Sequence, residues 1–327
     1  MKEKIKKIFP LSILLVLLLE YIKDYYAFIK YTGVFEFISS GQKKILGNII
    51  ADYHVIEKGL TMPQTRLGFG KTKTIKLIDH CMYYTKRFDV TDNQFLQAIA
   101  VINEYKDFHE INNYDLDKEL LDKIRLLQSN LKGDIISSEQ IKTSSEEYFS
   151  DINAGFDKFS KSRRSVRNYS NVEVSRKQIN NAIEIAITSP SSCNRQASRV
   201  YVFEDRDLVN EILKIQGGNR GFGHLATKLI IVTFEMGFSH GVYERNMAYV
   251  DGGIFAMNLL NGLHFNRVAA CPLNCYFSSS KAKKIKKITG IKKSEKLVVM
   301  ISCGNVPEKF DIAKSYRYPV EEFITYR

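Results

Sequence analysis

The stretch SKSRRSVRNYS, residues 160–170, concentrates positive charge near the middle of the chain. It carries Arg163, Arg164 and Arg167 within five residues, and the hydroxyl of Ser165 lies between them. Guanidinium groups match phosphate oxygens in charge and in geometry, and a serine hydroxyl adds a further donor. A short basic run is also typical of a solvated turn. The surrounding sequence has to decide between a phosphate site and a turn.

The composition is that of an ordinary globular protein with an excess of positive charge. The 327 residues are 44% hydrophobic and 26% charged, and 48 lysines and arginines face 36 acids, which gives a formal charge of +12. The length suffices for two domains or one large domain. The charge suits an anionic partner. Nucleic acid is disfavoured because the lysine-rich run at 281–293 has no aromatic residues on which bases could stack.

The five cysteines favour a reducing compartment. Their number is odd, they are spread over the whole chain and no two form a C-x-x-C pair, whereas a secreted disulfide framework usually has an even number at short spacings. No histidine cluster accompanies them, as a zinc site would require. We therefore expect a cytoplasmic protein without a metal site.

Residues 1–38 are predicted to form a hydrophobic and basic N-terminal helix. The basic run MKEKIKK precedes an apolar run from Ile8 to Leu19, which is too short to span a bilayer and is not followed by a small-residue cleavage site. Two interpretations stay open. The helix is buried or packs on a partner, or residues 1–31 contact the inner face of a membrane through their lysines and tyrosines.

Residues 39–150 are predicted to form a helical region. Leu116, Leu120, Ile124, Leu127 and Leu131 are predicted to lie on one helical stripe. The polar, serine-rich residues 134–150 are predicted to form a linker that ends in a short helix.

The densest polar group of this region is YHVIEKGLTMPQTRLGFG, residues 53–70. His54 and Glu57 are three residues apart, so they share one helical face and could bind a metal or move a proton. No third ligand is apparent, and a hydrogen-bonded pair near a helix end at Gly59 explains them as well. Their role stays open.

Residues 151–327 are predicted to form a sheet domain. SRKQINNAIEIAIT, residues 175–188, combines Ser175 as N-cap with an amphipathic pattern. The runs RVYVFE (199–204), LIIVTFE (229–235) and KLVVMISCG (296–304) have strand composition, and a long helical pattern separates the second from the third. Strands separated by helices indicate an α+β or α/β domain.

Four stretches of this half resemble the nitroreductase-like FMN flavoprotein family, in the family's order. They are RRSVRNYS (163–170), PSSCNRQ (190–196), VAACPLNCYF (268–277) and CGNVPEKF with SYRYPVEEFI (303–310 and 315–324). The resemblance covers about residues 155–327. It implies an α+β fold with a central mixed sheet flanked by helices, which an all-helical segment precedes in this chain.

The resemblance implies that the basic stretch binds the FMN phosphate, which carries close to two negative charges. The implied phosphate ligands are Arg163, Arg164, Ser165, Arg167 and, from a second basic element near the C-terminus, Arg317. It also implies that the segment with Pro190, Ser191, Ser192, Asn194 and Gln196 reaches the neighbouring protomer's flavin in a homodimer. The family commonly has a proline and an aromatic residue after this glutamine, and the sequence RQASRV departs from that pattern.

Two further elements of the implied site lie near the flavin ring. The backbone at Pro272, Leu273 and Asn274 matches the loop that places N–H groups beside the ring, although many relatives have Glu-Gly there. Asn219, in the glycine-rich stretch QGGNRGFGHLATK (216–228), is a weaker match to a residue that contacts the ring. A turn without a ligand explains that stretch equally well.

The implied activity is that of an FMN-dependent oxidoreductase. Hydride would pass from NADH or NADPH through the flavin to an unidentified acceptor, such as a quinone, a nitro-aromatic or a biosynthetic intermediate, and no acid or base is needed. One alternative is a specialised flavoenzyme of the same fold, of dehydrogenase, dehalogenase or flavin-cleaving type. Another is a membrane-surface binding protein that retains the flavin fold as a scaffold.

Overall fold

The computed structural model describes residues 2–32, 41–131 and 138–327, and side chains from Ser12 onward. The chain divides into two compact units. We call Met1–Ala27 with Thr143–Phe310 the sheet unit, and Phe28–Lys142 with Asp311–Arg327 the helical unit. The linear boundaries expected at residues 38 and 150 stay predictions.

The N-terminal hydrophobic stretch forms a single long helix, α1 (Lys2–Tyr31). Its apolar side chains are exposed, with Leu14 at 61%, Leu15 at 56% and Leu18 at 56%. The interpretation of α1 as a helix buried within its own chain is therefore wrong. Among the described helices, none is long and apolar enough to cross a membrane.

The helical unit contains, within its described residues, the α-helices α2 (Gln42–Leu60), α3 (Lys71–Thr85), α4 (Asn93–Ile111) and α5 (Lys118–Ser129). Asp92 caps α4 by accepting the backbone N–H groups of Gln94 (2.8 Å) and Phe95 (3.3 Å). The predicted stripe is confirmed for Leu120, Ile124 and Leu127, which are buried on α5, whereas Leu116 and Leu131 lie outside this helix.

In its described part, residues 138–150, the predicted linker contains a strand that was not expected, whereas the short helix predicted at its end is confirmed. This part contains strand β1 (Ile141–Ser144), which pairs with β6 (Lys309–Ile312), and helix α6 (Ser145–Tyr148). A four-residue strand has too few alternating positions to be recognised from sequence. The Ser144 side chain accepts the Glu147 N–H at 3.1 Å, so one serine that indicated a loop is a helix cap.

The sheet unit alternates helices and strands along the chain. In order these are α7 (Phe156–Ser162), α8 (Arg176–Ala186), β2 (Ser198–Phe203), α9 (Arg206–Gln216), β3 (Lys228–Glu235), α10 (Met247–Phe265), β4 (Ala269–Asn274), α11 (Ser279–Thr289) and β5 (Glu295–Gly304). Ser175 caps α8 in a capping box with Gln178, as its position predicts.

Four of these strands form one sheet in the order β2-β3-β5-β4. Each pair of neighbours is antiparallel, and the parallel component is an isolated bridge between Ser165 and Ala270. The α+β class is confirmed, as are the three predicted strands. Residues 272–274, expected to form a loop, belong to the edge strand β4. An edge strand tolerates Pro272, which has no N–H to donate.

Helix α8 packs closely against α10. A Cβ atom at Gly262 of α10 would lie only 2.5 Å from the carbonyl oxygen of Ala182 in α8. The two helices therefore approach backbone to backbone at this point. The chain leaves α8 directly into the segment 189–196, so this packing positions one part of the candidate site.

Candidate functional site

The predicted phosphate ligands of the sheet unit lie beside β4. We call Arg163, Arg164, Ser165 and Arg167 the basic cluster. Its backbone is joined to the strand by the Ser165–Ala270 bridge and by a hydrogen bond from the Val166 N–H to the Ala270 carbonyl at 3.1 Å. The residues predicted to flank the flavin ring, 272–274, follow Ala270 on the same strand. The fold therefore brings together two stretches that are about a hundred residues apart in sequence.

Side chains on both sides hold the backbone of the basic cluster in place. The Tyr148 hydroxyl donates to the Arg164 carbonyl at 2.9 Å, and the Tyr169 hydroxyl lies 2.9 Å from both the Val166 and the Ser302 carbonyl oxygens. Burial raises the pKa of Tyr148 to about 12, so its hydroxyl stays a donor at neutral pH. The cluster is a fixed segment and not a solvated turn.

A neutral histidine lies under the cluster. His264 is 1% exposed, and its Nε2 is 2.8 Å from the Ser162 hydroxyl. Burial, and secondarily the charge of Arg163, lowers the pKa of His264 to about 4. The imidazole is therefore uncharged at neutral pH.

Arg167 is the most informative residue of the cluster. It is only 9% exposed, and within the described part of the chain its guanidinium makes no hydrogen bond or ion pair. Buried charges in proteins are generally paired, because removing a charge from water is costly. Arg167 is largely buried as a residue, but its guanidinium nitrogens are not among the buried atoms without a partner in the described chain, so they are accessible to an anionic ligand. The donors of the cluster therefore suit a phosphate group.

The side chain of Asn219 is connected to the end of β4. Its Nδ2 donates to the Leu213 carbonyl at 2.6 Å and to Gln216 Oε1 at 2.9 Å, and Gln216 Nε2 donates to the Asn274 carbonyl at 3.3 Å. Asn219 thus closes the C-terminal end of α9. The structure places Asn219 near Asn274, but the side-chain amide of Asn219 is already hydrogen-bonded within the protein. Within β4, Leu273 is buried while Pro272 and Asn274 are exposed.

The segment 189–196 borders a surface cavity of about 160 Å³. Three of the predicted residues, Pro190, Ser191 and Gln196, line it, whereas Ser192 and Asn194 do not. The lining residues are Ile187, Ser189, Pro190, Ser191, Gln196, Ser198, Arg199, Asp251 and Phe255.

The backbone of this segment is strained and is held by Arg195. Cys193, Asn194 and Gln196 have φ angles of 50°, 53° and 50°, in the left-handed region that side chains disfavour. Arg195 makes two hydrogen bonds to Glu244, at 2.8 and 2.9 Å, and also contacts the Ser192 carbonyl at 3.0 Å. This pairing, together with the His240 N–H, lowers the pKa of Glu244 to about 2. We call the Arg195–Glu244 pair the loop latch.

Asp251 fixes the other side of the segment. It lies on α10, is 6% exposed, and its Oδ2 accepts the Ser192 N–H at 3.0 Å. Sequence reasoning missed both Asp251 and the loop latch. Asp251 could have been noticed in the sequence, because it is an acidic residue within the mostly apolar stretch that forms α10. Nothing in the sequence connects Glu244 with Arg195.

Arg317 lies in the helical unit. Its side chain is exposed and donates to the Ser315 carbonyl at 2.9 Å. Its predicted role at the phosphate stays a prediction.

The pair His54 and Glu57 is hydrogen-bonded, as the second interpretation of these residues predicts. The two side chains are 3.1 Å apart near the end of α2, which ends at Leu60, one residue beyond Gly59. Glu57 is fully buried and also accepts Gln97 Nε2 at 3.4 Å. Within the described ranges no group of three or more His, Cys, Asp or Glu residues is arranged to hold a metal.

Comparison with known proteins agrees with the family that the sequence resembles. Residues 160–219 match the family model described as the nitroreductase family, which confirms the resemblance for this part of the chain. No curated protein matches the chain.

Several solved structures are similar to about half of the chain. An FMN-dependent nitroreductase from Clostridium difficile is 18% identical, covers 51% of this chain and 96% of its own, and has a TM-score of 0.44. A nitroreductase family protein from Streptococcus pneumoniae is 22% identical over 53% of this chain and 100% of its own, with a TM-score of 0.45. A BluB-like flavoprotein from Clostridium difficile is 20% identical over 53% and 99%, with a TM-score of 0.46.

Proposed function

We propose that the sheet unit binds FMN and that the protein is an FMN-dependent oxidoreductase, which passes hydride from NADH or NADPH to a small acceptor. The family match at residues 160–219 supports this proposal. The observation that carries it is the buried Arg167, which has no protein partner in the described part of the chain. A phosphate monoester supplies the negative charge that such a group requires.

The basic cluster and β4 have different tasks in this proposal. Arg163, Arg164, Ser165 and Arg167 hold the phosphate. The backbone at Pro272, Leu273 and Asn274 borders the ring, where the N–H dipoles of Leu273 and Asn274 stabilise negative charge. Bound FMN supplies the hydride chemistry, and the chain supplies charge compensation and orientation.

The proposal includes a homodimer with the flavin at the interface. The segment 189–196 would contribute its serines, Asn194 and Gln196 to the partner's ring. The loop latch and Asp251 support this role, because they hold a strained segment in one conformation. A segment fixed in advance presents its donors without an ordering cost. A cytoplasmic location stays a prediction.

The test is an absorbance spectrum of the full-length protein, followed by anaerobic addition of NADH and of NADPH. A flavin spectrum that is bleached by either nucleotide is the expected result. A flavin spectrum that neither nucleotide bleaches would favour the second candidate, a specialised flavoenzyme of the same fold. A protein that neither contains nor takes up FMN would refute the proposal.

The role of Arg167 is tested by titrating FMN into Arg167→Gln. Losing one charge-assisted contact should weaken FMN binding by about tenfold or more. The control is Arg176→Gln, which removes an arginine whose side chain is 84% exposed and paired with Glu204. Equal FMN affinities of the two variants would refute the assignment of Arg167 to the phosphate.

A further inference from the structure

Helix α1 presents an apolar face that the rest of its unit leaves uncovered. We call Leu15, Leu18, Leu19, Ile22 and Tyr25 the outer face of α1. Their exposed fractions are 56%, 56%, 47%, 51% and 67%. The spacing of three and four residues places these side chains on one side of the helix. Exposed apolar side chains in such a continuous arrangement usually mark an interaction surface.

The opposite side of α1 attaches the helix to the sheet unit. Arg245 binds Asp24 through two hydrogen bonds, at 2.8 and 3.0 Å, and also reaches Glu20 at 3.4 Å. Its side chain is only 13% exposed. This attachment fixes the orientation of the helix, so the outer face points away from the unit that holds it.

The charges of α1 identify the chemistry of the partner. Both acids of residues 12–31, Glu20 and Asp24, are engaged by Arg245. The first seven residues carry four lysines against the single acid Glu3. The helix therefore combines an apolar face and tyrosines with a basic end, the composition of helices that lie in the interface of an anionic membrane.

We propose that α1 binds the surface of a membrane rich in anionic lipid, with its outer face at the boundary between headgroups and acyl chains and its lysines on the headgroups. A second copy of the chain is a poorer occupant. Two parallel α1 helices would place their basic ends side by side, and two antiparallel helices would place a basic end near Lys23 and Lys30. In both arrangements the acids within residues 12–31 are already bound to Arg245 and do not compensate the repulsion. A membrane-spanning arrangement of α1 is also disfavoured, since none of the described helices has the length and apolar composition that crossing a bilayer requires.

The test is flotation of the full-length protein with vesicles of phosphatidylcholine and phosphatidylglycerol in a 7:3 ratio, compared with pure phosphatidylcholine. We expect binding to the anionic vesicles that falls steeply with salt. The double variant Lys4→Gln/Lys7→Gln should weaken the partitioning by about 30-fold. Leu15→Glu/Leu18→Glu should abolish it, because charges at these positions are costly in the acyl region.

A matched control carries a new glutamate outside α1. Val172→Glu changes an apolar residue that is 64% exposed elsewhere in the sheet unit, and we expect it to float like the unchanged protein. Circular dichroism melts of every variant establish that the fold is intact. Failure of the unchanged protein to float would refute the proposal. So would sedimentation velocity showing that Leu15→Glu/Leu18→Glu dissociates an oligomer, since the outer face would then be a protein interface.

Discussion

Substituting Gly262 by alanine should destabilise the sheet unit, although alanine is the better helix former. The added Cβ would lie 2.5 Å from the Ala182 carbonyl oxygen and 2.9 Å from the Ala182 Cα. These atoms are backbone, so no side chain can rotate away. The two helices have to separate, and overpacking of this kind costs about 1–3 kcal/mol.

A second glycine in the same helix provides the control. Gly253 also lies within α10, and a Cβ there would meet no atom within 4 Å. Both substitutions gain the same helix propensity, about 0.5–1 kcal/mol. The difference between Gly262→Ala and Gly253→Ala therefore isolates the steric cost, for which we expect about 2 kcal/mol.

The measurement is the thermal unfolding midpoint of each variant by circular dichroism. A difference of this size corresponds to about 4–8 °C for a unit of this length. Gly253→Ala should unfold at or slightly above the midpoint of the unchanged protein, and Gly262→Ala below it. Equal midpoints for both variants would refute the close contact between α8 and α10.

Two further predictions concern the residues around the candidate site. Glu244→Gln breaks the loop latch and should accelerate trypsin cleavage after Arg195, measured by mass spectrometry of timed digests. The control is Asp122→Asn, which removes an exposed ion pair with a distance of 3.5 Å and should leave the cleavage rate after Arg195 unchanged. The lowered pKa of His264 predicts stability that is complete above pH 6.5 and is lost as the pH falls towards 4, by at most about 3 kcal/mol. Measuring the free energy of unfolding between pH 7 and pH 4 tests this prediction, and in His264→Gln that free energy should depend less on pH. If the pH dependence is the same in His264→Gln as in the unchanged protein, other groups cause it.

Local signals in the sequence predicted much of the fold. The capping box at Ser175 and the three strand runs are found where they were expected, because caps and β-branched runs act over a few residues. Strand β4 was missed because the family resemblance implies a loop at Pro272, Leu273 and Asn274. The place of β4 at the sheet edge makes Pro272 acceptable in a strand.

The candidate site was predictable in its residue types but not in its energetics. Arg163, Arg164 and Arg167 look equivalent in the sequence, yet only Arg167 is counted among the buried residues of the described chain. That difference depends on the tertiary surroundings. The loop latch could not be foreseen either, since Arg195 and Glu244 are joined only by the fold.

The bridge between Ser165 and Ala270 has a consequence for solubility. β4 is an edge strand, and unpaired edges recruit strands from other molecules. The backbone of the basic cluster occupies part of that edge, through the bridge and the Val166 N–H. Side-chain substitutions in the cluster leave this cover in place, whereas deletion of residues 163–167 would expose the edge. The backbone of these five residues therefore shields part of the β4 edge from pairing with strands of other molecules, independently of any ligand.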